Sequence, residues 1–124
     1  MITDITQSLV SALRDKITPE FAWRELKEIV YCEQSLAGVY GQGWSARIGL
    51  QQCWYQDEPV KEERLTIGVY SDDFPYKAER IVALGYRDEI IAKLSENGLT
   101  EKISEGIEEG YKHLRDAMQE IRRD

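Results

Sequence analysis

The stretch WSARIGLQQCWY (residues 44–55) decides the fold class, because its apolar residues recur at every second position. The even positions carry Trp44, Ala46, Ile48, Leu50 and Trp54. A period of two is typical of a β-strand that buries one face. The stretch therefore predicts one long strand whose odd face meets water, a ligand or another chain.

A second strand is predicted downstream, over residues 63–70. Its apolar positions again alternate, at Leu65, Ile67 and Val69. The intervening Gln56-Asp57-Glu58-Pro59 is rich in residues that favour turns. The simplest topology for the two strands is an antiparallel hairpin.

Two glycines, Gly41 and Gly43, precede the first strand and raise the question of a phosphate-binding loop. A dinucleotide-binding fingerprint needs a helix directly after its glycines, so that the helix N-terminus can receive the phosphate. The period-two pattern that follows predicts a strand instead. We interpret the segment as a bend in which the glycines adopt positive φ.

Helices are predicted at the N-terminus. Residues 3–17 carry one apolar stripe, made by Ile5, Leu9, Leu13 and Ile17. Thr18-Pro19-Glu20 is a helix-start signal, and the second helix would bury Ala22, Leu26 and Ile29. The end of that helix is left open, because Ile29-Val-Tyr-Cys32 favours a strand.

The C-terminal half is predicted to be helical. A turn at residues 71–75 leads into a helix over residues 76–97 with an interruption at Gly85, and Asn97-Gly98 is interpreted as its stop signal. Thr100 is expected to cap a last helix that runs to about Arg122. The predicted fold is one α+β domain over residues 1–124, with an antiparallel β-hairpin or small sheet packed against N-terminal and C-terminal α-helices.

The last helix carries a regular seam. The apolar or small residues at intervals of four and three are Ile103, Ile107, Gly110, Leu114, Ala117 and Ile121. This is a heptad pattern, and Gly106 and Gly110 allow close backbone approach. Two interpretations remain open: packing inside the chain, against the predicted helix over residues 76–97, or a subunit interface of a homo-oligomer.

Charge and composition limit the partners. The net charge of −7 disfavours nonspecific nucleic-acid binding, which depends on Lys and Arg neutralising phosphates. No apolar run approaches the roughly 18 residues of a membrane span, and the first residues lack a signal-peptide pattern, so we expect a cytoplasmic protein. Cys32 and Cys53 are expected to be reduced thiols, with a disulfide as the alternative.

The catalytic inventory is small. His113 is the only histidine. Histidine-assisted nucleophilic catalysis and zinc binding each need further side chains beside a histidine, and the sequence places no such cluster next to His113. Asp72-Asp73 suits a turn and a helix cap. We predict no catalytic residue, no metal and no cofactor, which favours a protein that is not an enzyme.

The aromatic residues give the strongest indication of a binding surface. Seven tyrosines and three tryptophans are many for a chain of this size, and tyrosine is frequent at binding surfaces. The predicted ligand- or partner-binding residues lie on the outer face of the hairpin, which points away from the predicted core, and just beyond its end. They are Arg47, Tyr55, Arg64, Tyr70, Phe74 and Tyr76. The alternative is that helices cover this face and the aromatics are ordinary packing.

The leading functional hypothesis is a non-enzymatic binding protein that acts on a macromolecular partner, in the manner of inhibitors, immunity proteins or chaperones. Small size, acidity and the possible oligomer seam support a protein partner or self-association. One alternative is a protein that binds or sequesters a small nucleotide-like ligand. Another is a structural subunit of a phage-like assembly.

Overall fold

The computed structural model describes residues 1–17 and 29–123. Its elements are α1 (Ile2–Lys16), β1 (Ile29–Ser35), α2 (Ala37–Tyr40), β2 (Trp44–Tyr55), β3 (Glu58–Ser71), β4 (Phe74–Gly85), α3 (Arg87–Lys93) and α4 (Asn97–Arg123). The strands form one antiparallel sheet in the order β1-β2-β3-β4. The predicted α+β fold is confirmed, and the helix predicted to begin at Thr18 lies outside the described residues.

The hairpin between β2 and β3 is the centre of the sheet. Its two-residue turn holds Gln56 at φ 50° and Asp57 at φ 66°, as expected for a turn whose twist matches that of the flanking strands. The register runs from Trp44 opposite Ser71 to Tyr55 opposite Glu58. The second strand is therefore longer than residues 63–70, since it begins at the turn.

The core lies on one face of the sheet. Most of the predicted inward positions of both central strands are buried, namely Ala46, Ile48, Leu50, Leu65, Ile67 and Val69. Trp44 is half-buried. The prediction is wrong for Trp54, which lies beyond a register shift after Gln52 and is 38% exposed. The buried positions form one cluster with buried side chains of α1, α3 and α4. Burial of each large aliphatic side chain contributes about 1.5–3 kcal/mol, so this face supplies most of the apolar stabilisation.

The N-terminal helix α1 packs on β1, β2 and α4. It buries Leu9, Val10 and Leu13, as its apolar stripe predicts. The hydroxyl groups of Thr6 and Ser104 share a hydrogen bond of 2.8 Å. Because Thr6 is fully buried, this bond satisfies a polar group that would otherwise destabilise the contact with α4.

The glycine-rich segment is a bend between α2 and β2, as predicted. Gly41 has φ 102° and Gly43 has φ 88°, values that favour glycine. The Asp72 amide donates a 3.0 Å hydrogen bond to the Gly43 carbonyl, which ties the bend to the β3–β4 turn. A strand follows the bend, so no helix begins directly after these glycines.

An aromatic cluster fixes this end of the fold. Tyr40 of α2 stacks on Tyr111 of α4 with ring centroids 3.7 Å apart and planes 3° from parallel. Trp44 meets Tyr111 edge-on at 4.8 Å. Such pairs contribute about 0.5–1.5 kcal/mol beyond their buried area, and this cluster joins α2, β2 and α4.

The prediction of a helix over residues 76–84 is wrong, because this segment is strand β4. The register with β3 shifts between Leu65 and Thr66, whose partners are Ala83 and Ile81. This β-bulge interrupts the alternation, so the apolar residues Ala78, Ile81 and Val82 acquire a spacing that imitates a helix. The open edge of β3 offers a full ladder of backbone hydrogen bonds, and this tertiary pairing outweighs local preference.

The interpretation of Asn97-Gly98 as a stop signal is also wrong, because α4 begins at Asn97. Asn and Gly are favoured at helix starts as well as helix ends, so the pair alone does not show whether a helix begins or ends there. Thr100 lies in the first turn of α4 rather than before it. Its hydroxyl donates to the Glu96 carbonyl at 3.4 Å. Asp72 and Asp73 occupy the β3–β4 turn and do not cap a helix.

The two glycines of α4 lie directly on the sheet. A Cβ atom at Gly106 would lie 2.7 Å from Cγ2 of Ile67, and one at Gly110 would lie 2.9 Å from Cγ2 of Val69. The element that faces them is therefore the β3–β4 half of the sheet, and not a helix over residues 76–97. Glycine costs each position about 1 kcal/mol in helix propensity, which the close packing offsets.

A buried ion pair joins Arg87, the first residue of α3, to Glu63 of β3. Nε of Arg87 donates to Oε1 of Glu63 at 3.0 Å, and the two side chains are only 16% and 5% exposed. Oε2 of Glu63 is buried and has no hydrogen-bond partner within residues 1–17 and 29–123. Glu63 therefore depends strongly on Arg87 to compensate its charge.

Leucine at Gly110 should destabilise the fold. Overpacking against Val69 costs about 1–3 kcal/mol, which exceeds a helix-propensity gain of roughly 0.5–1 kcal/mol. Chemical denaturation should show a lower free energy of unfolding for Gly110→Leu. Gly98→Leu is the matched control, since a Cβ at Gly98 meets no atom within 4 Å. Equal stability of Gly110→Leu and the parent protein would contradict the close contact.

Removal of the Arg87 charge should lower the free energy of unfolding more than leucine at Gly110 does. Arg87→Met leaves Glu63 buried without its cation, which typically costs about 3–5 kcal/mol. The measurement is the free energy of unfolding in urea near neutral pH. The double variant Glu63→Gln with Arg87→Met removes both charges and should recover part of the loss. A double variant less stable than Arg87→Met alone would show that the charge of Glu63 is not the cause.

Candidate functional site

The second face of the sheet carries polar and aromatic side chains, and no described helix packs on it. Register pairs share a face, so the positions between the core residues line up across the four strands. We call this surface the open sheet face. Its residues are Tyr31, Glu33, Arg47, Gln51, Arg64, Thr66, Tyr70, Lys77, Glu79, Ile81 and Leu84.

Arg47 is at the centre of the open sheet face. Its guanidinium carbon lies 4.4 Å from the ring centroid of Tyr31 and 4.9 Å from that of Tyr70. Nη2 of Arg47 donates to Oε2 of Glu33 at 3.1 Å. Contacts with two aromatic rings and one carboxylate restrict the side chain to one position.

The charge of Arg47 is only partly satisfied by these contacts. Burial lowers the pKa of Arg47, but the hydrogen bond to Glu33 and the interaction with Tyr70 outweigh burial, so the pKa is raised. Nε of Arg47 is buried and makes no hydrogen bond to any described residue. A permanently charged side chain is thus held in place with one donor still unused.

Two further cations lie beside Arg47. Nε and Nη2 of Arg64 donate to Oε1 of Gln51 at 3.1 and 2.7 Å, and Arg64 forms no ion pair within the described residues. Nζ of Lys77 lies 3.3 Å from Oε2 of Glu79. These side chains surround a cleft of about 260 Å³.

Tyr70 lies beside both Arg47 and Lys77. Burial raises the pKa of its phenol above the ordinary value of 10.0, whereas Arg47 and Lys77 lower it and Glu79 raises it. Burial is the largest effect, so Tyr70 stays neutral and can donate a hydrogen bond throughout the physiological range.

The six predicted binding residues fall into three places. Arg47, Arg64 and Tyr70 lie together on the open sheet face, whereas Tyr55 stands at the β2–β3 turn and is 67% exposed. Phe74 and Tyr76 make an edge-on pair at 5.3 Å. They line a groove of about 300 Å³ with Met118 and Ile121 of α4, beside the β3–β4 turn.

The seam residues of α4 fall into a buried group and an accessible end. Ile103, Gly106, Ile107, Gly110 and Leu114 are buried against the rest of the chain. Ala117 is half-buried, and Ile121 is 60% exposed. Only the end of the seam is therefore accessible for another subunit.

Sequence reasoning missed the residues that β1 and β4 contribute to the open sheet face, including Ile81 and Leu84. Tyr31 and Glu33 lie on β1, where the sequence left helix and strand open. Lys77 and Glu79 lie on β4, which was predicted to be a helix. The signal that could have placed them is the alternation of Lys77, Ala78 and Glu79, which has the period of a strand.

The other reactive groups lie apart from this face. His113 is exposed on α4 and lines a groove with Glu109 and Arg80. Cys32 and Cys53 are free thiols, and burial raises the pKa of both. Among the described residues, no group of three His, Cys, Asp or Glu side chains could hold a metal ion.

No family model matches this chain, and the comparisons with curated proteins and with solved structures also find no match. Within residues 1–17 and 29–123, none of the helices combines the length and the apolar character needed to cross a membrane.

The pKa of Tyr70 should respond in opposite directions to the removal of the charges of Lys77 and Glu79. Lys77→Ala should raise it, because the ammonium favours the phenolate, and Glu79→Gln should lower it. The measurement is a pH titration of the Tyr70 ring carbons by NMR. A change of the same sign in both variants would contradict the arrangement.

The raised pKa of Tyr70 also affects the stability of the folded state at alkaline pH. The folded state disfavours the phenolate, so the contribution of Tyr70 is fully present below pH 10.0 and is lost as pH rises through the raised pKa. Tyr70→Phe should therefore reduce the alkaline loss of stability.

Proposed function

We propose that this protein is a non-enzymatic binding protein that docks another protein on the open sheet face, as an inhibitor, immunity protein or chaperone does. The observation that carries the proposal is Arg47, fixed between Tyr31 and Tyr70 on an exposed surface. Arg and Tyr dominate the energetics of protein interfaces. An anchor that is already fixed loses little conformational entropy when a partner binds.

The charges of the open sheet face favour a protein over a nucleic acid. The face carries Arg47, Arg64 and Lys77 against Glu33 and Glu79, three cations against two carboxylates. The rest of an acidic chain, with net charge −7 overall, would repel a phosphate backbone. A protein surface that offers one or two carboxylates requires no such extended basic surface.

Apolar side chains beside the cations define the partner further. Ile81 and Leu84 lie opposite Thr66 and Arg64 in the register and are 49% and 54% exposed. Arg64 has an amide as its described partner, so it can accept a carboxylate at little cost. The complementary surface would combine an apolar patch with an Asp or Glu side chain.

A small anionic ligand with an aromatic ring, such as a nucleotide, is the second candidate. Arg47, Arg64 and Lys77 converge on one cleft with two tyrosines, which suits stacking and phosphate binding. The cleft of about 260 Å³ is smaller than the roughly 300–1,000 Å³ of most ligand pockets. The protein partner is therefore the better-supported occupant.

Site-specific photo-crosslinking in the cells that encode the protein tests the proposal. A photoreactive phenylalanine analogue at Thr66 probes the open sheet face, and the same group at Lys112 probes the exposed side of α4. We expect a discrete crosslinked protein from position 66 and none from position 112. Arg47→Ala and Arg64→Ala should each weaken the isolated complex by about tenfold or more, whereas Lys112→Ala should not.

Three results would overturn the protein-docking proposal. The first is crosslinking from position 112 alone, which would place the binding surface on α4. The second is a nucleic acid in the adduct. The third is a small molecule that is retained in native mass spectrometry and lost in Arg47→Ala, which would support the second candidate.

A further inference from the structure

Strand β4 exposes one edge of the sheet. It runs over twelve residues, Phe74–Gly85, and none of the described strands pairs with its outer side. The edge at β1 differs, because Nζ of Lys16 donates to the Tyr31 carbonyl at 3.0 Å. A long free edge is a ready template for another strand.

We propose that β4 pairs with β4 of a second copy of this chain, antiparallel and about a twofold axis at Ala78. The sheet would then continue across the axis from four strands to eight, with the helices of both copies on one side. This proposal concerns self-association alone and does not depend on the proposed function.

The charges along β4 are self-complementary in this register. With Ala78 on the axis, Lys77 lies opposite the partner's Glu79, and Glu79 lies opposite the partner's Lys77. Opposite charges directly across a strand pair are stabilising. The two side chains already approach to 3.3 Å within one chain, so the dimer would close a ring of four alternating charges.

The other face of β4 is complementary as well. Tyr76 lies opposite the partner's Arg80 in the same register. Tyr76 is 67% exposed in the single chain, and a guanidinium beside its ring makes a favourable cation–π contact. Both faces of the strand therefore favour the axis at Ala78.

Neighbouring registers are disfavoured by like charges. A twofold axis at Lys77, Glu79 or Arg80 would place that residue opposite its own copy, and like charges directly opposite are destabilising. If the register between the two copies of β4 moves by one position while the helices of both copies stay on the same side, residues on the helix side of one strand lie opposite open-face residues of the other. The pattern of β4 thus favours the axis at Ala78 over these neighbouring registers.

The pairing is also limited in extent. Register shifts between β3 and β4 occur on both sides of the central stretch, between Leu65 and Thr66 and between Val69 and Ser71. Pro75 has no amide hydrogen to donate. These features confine regular pairing to about five residues around Ala78, which suits a dimer rather than open-ended aggregation.

The helices permit this arrangement. Gly106 lies over Ile67 and Arg80, and Gly110 lies over Val69 and Ala78, so α4 runs above the line between β3 and β4. Strands spaced about 4.8 Å apart would then place the two α4 helices roughly 10 Å apart, which is a normal packing distance. A groove of about 550 Å³ already follows the free edge beside these glycines.

A charge-exchange experiment tests the register. Lys77→Glu and Glu79→Lys each place like charges opposite one another and should weaken dimerisation by about tenfold or more. In an equimolar mixture, the two acidic residues of one variant face the two basic residues of the other. Sedimentation equilibrium should therefore show that each variant alone is monomeric where the parent protein dimerises, and that the mixture recovers a heterodimer.

The controls separate this interface from the other exposed surfaces. Lys77 and Glu79 are solvent-exposed, so at concentrations where the parent protein is monomeric each variant should have the same thermal stability as the parent. Ile121→Glu, at the accessible end of the seam, and Arg64→Ala, on the open sheet face, should leave dimerisation unchanged. A parent protein that is monomeric at every concentration, or a mixture that fails to dimerise, would overturn the proposal.

Discussion

The contact of α4 with Ile67 and Val69 determines how the rest of the molecule is arranged. Two glycines replace side chains that would lie within 3 Å of these residues, so the helix backbone can rest directly on β3 and β4. Two glycines in a helix interior cost about 2 kcal/mol in propensity, and only close packing gives the helix a reason to carry them. Because α1, α3 and α4 all cover the same face, the opposite face contributes little to the apolar core and can carry charges and tyrosines.

The sequence was sufficient for the elements whose periodicity is undisturbed. Strands β2 and β3 and helix α1 follow directly from alternation or from a helical stripe, and most of their buried residues were correctly predicted. The exceptions are Trp54, which is exposed, and Thr6, which is buried. Strand β4 was not recognised because the bulge opposite Leu65 and Thr66 changes the spacing of its apolar residues and leaves only the short alternation at Lys77, Ala78 and Glu79. Its conformation depends on the neighbouring edge of β3, which is remote information that no local window contains. The start of α4 was missed for a related reason, since Asn and Gly occur at either end of a helix.

The candidate site was predictable to the same extent as the strands that carry it. Arg47, Arg64 and Tyr70 could be assigned to one face because β2 and β3 were predicted, and their common face follows from alternation alone. Tyr31 completes the arrangement around Arg47 from β1, and this contact depends on the register between β1 and β2. Phe74 and Tyr76 were grouped with the site because they follow β3 closely in sequence, whereas the groove that they line is formed with α4. Proximity in sequence was a poor guide wherever a turn intervened.

The two proposals share one physical consequence. A dimer about Ala78 would place two open sheet faces side by side, so a partner with repeated binding sites would gain avidity without any new contact. Dimerisation also brings together two chains that each carry a net charge of −7, and this general repulsion opposes the local attraction between Lys77 and Glu79. Salt screens charges separated by more than about 10 Å at 0.1 M, whereas the paired side chains are much closer. Moderate salt should therefore reduce the repulsion more than the attraction, and dimerisation should strengthen from low to moderate ionic strength. A dimer held only by surface ion pairs would weaken over the same range, so the sign of the salt dependence distinguishes backbone strand pairing from charge attraction alone.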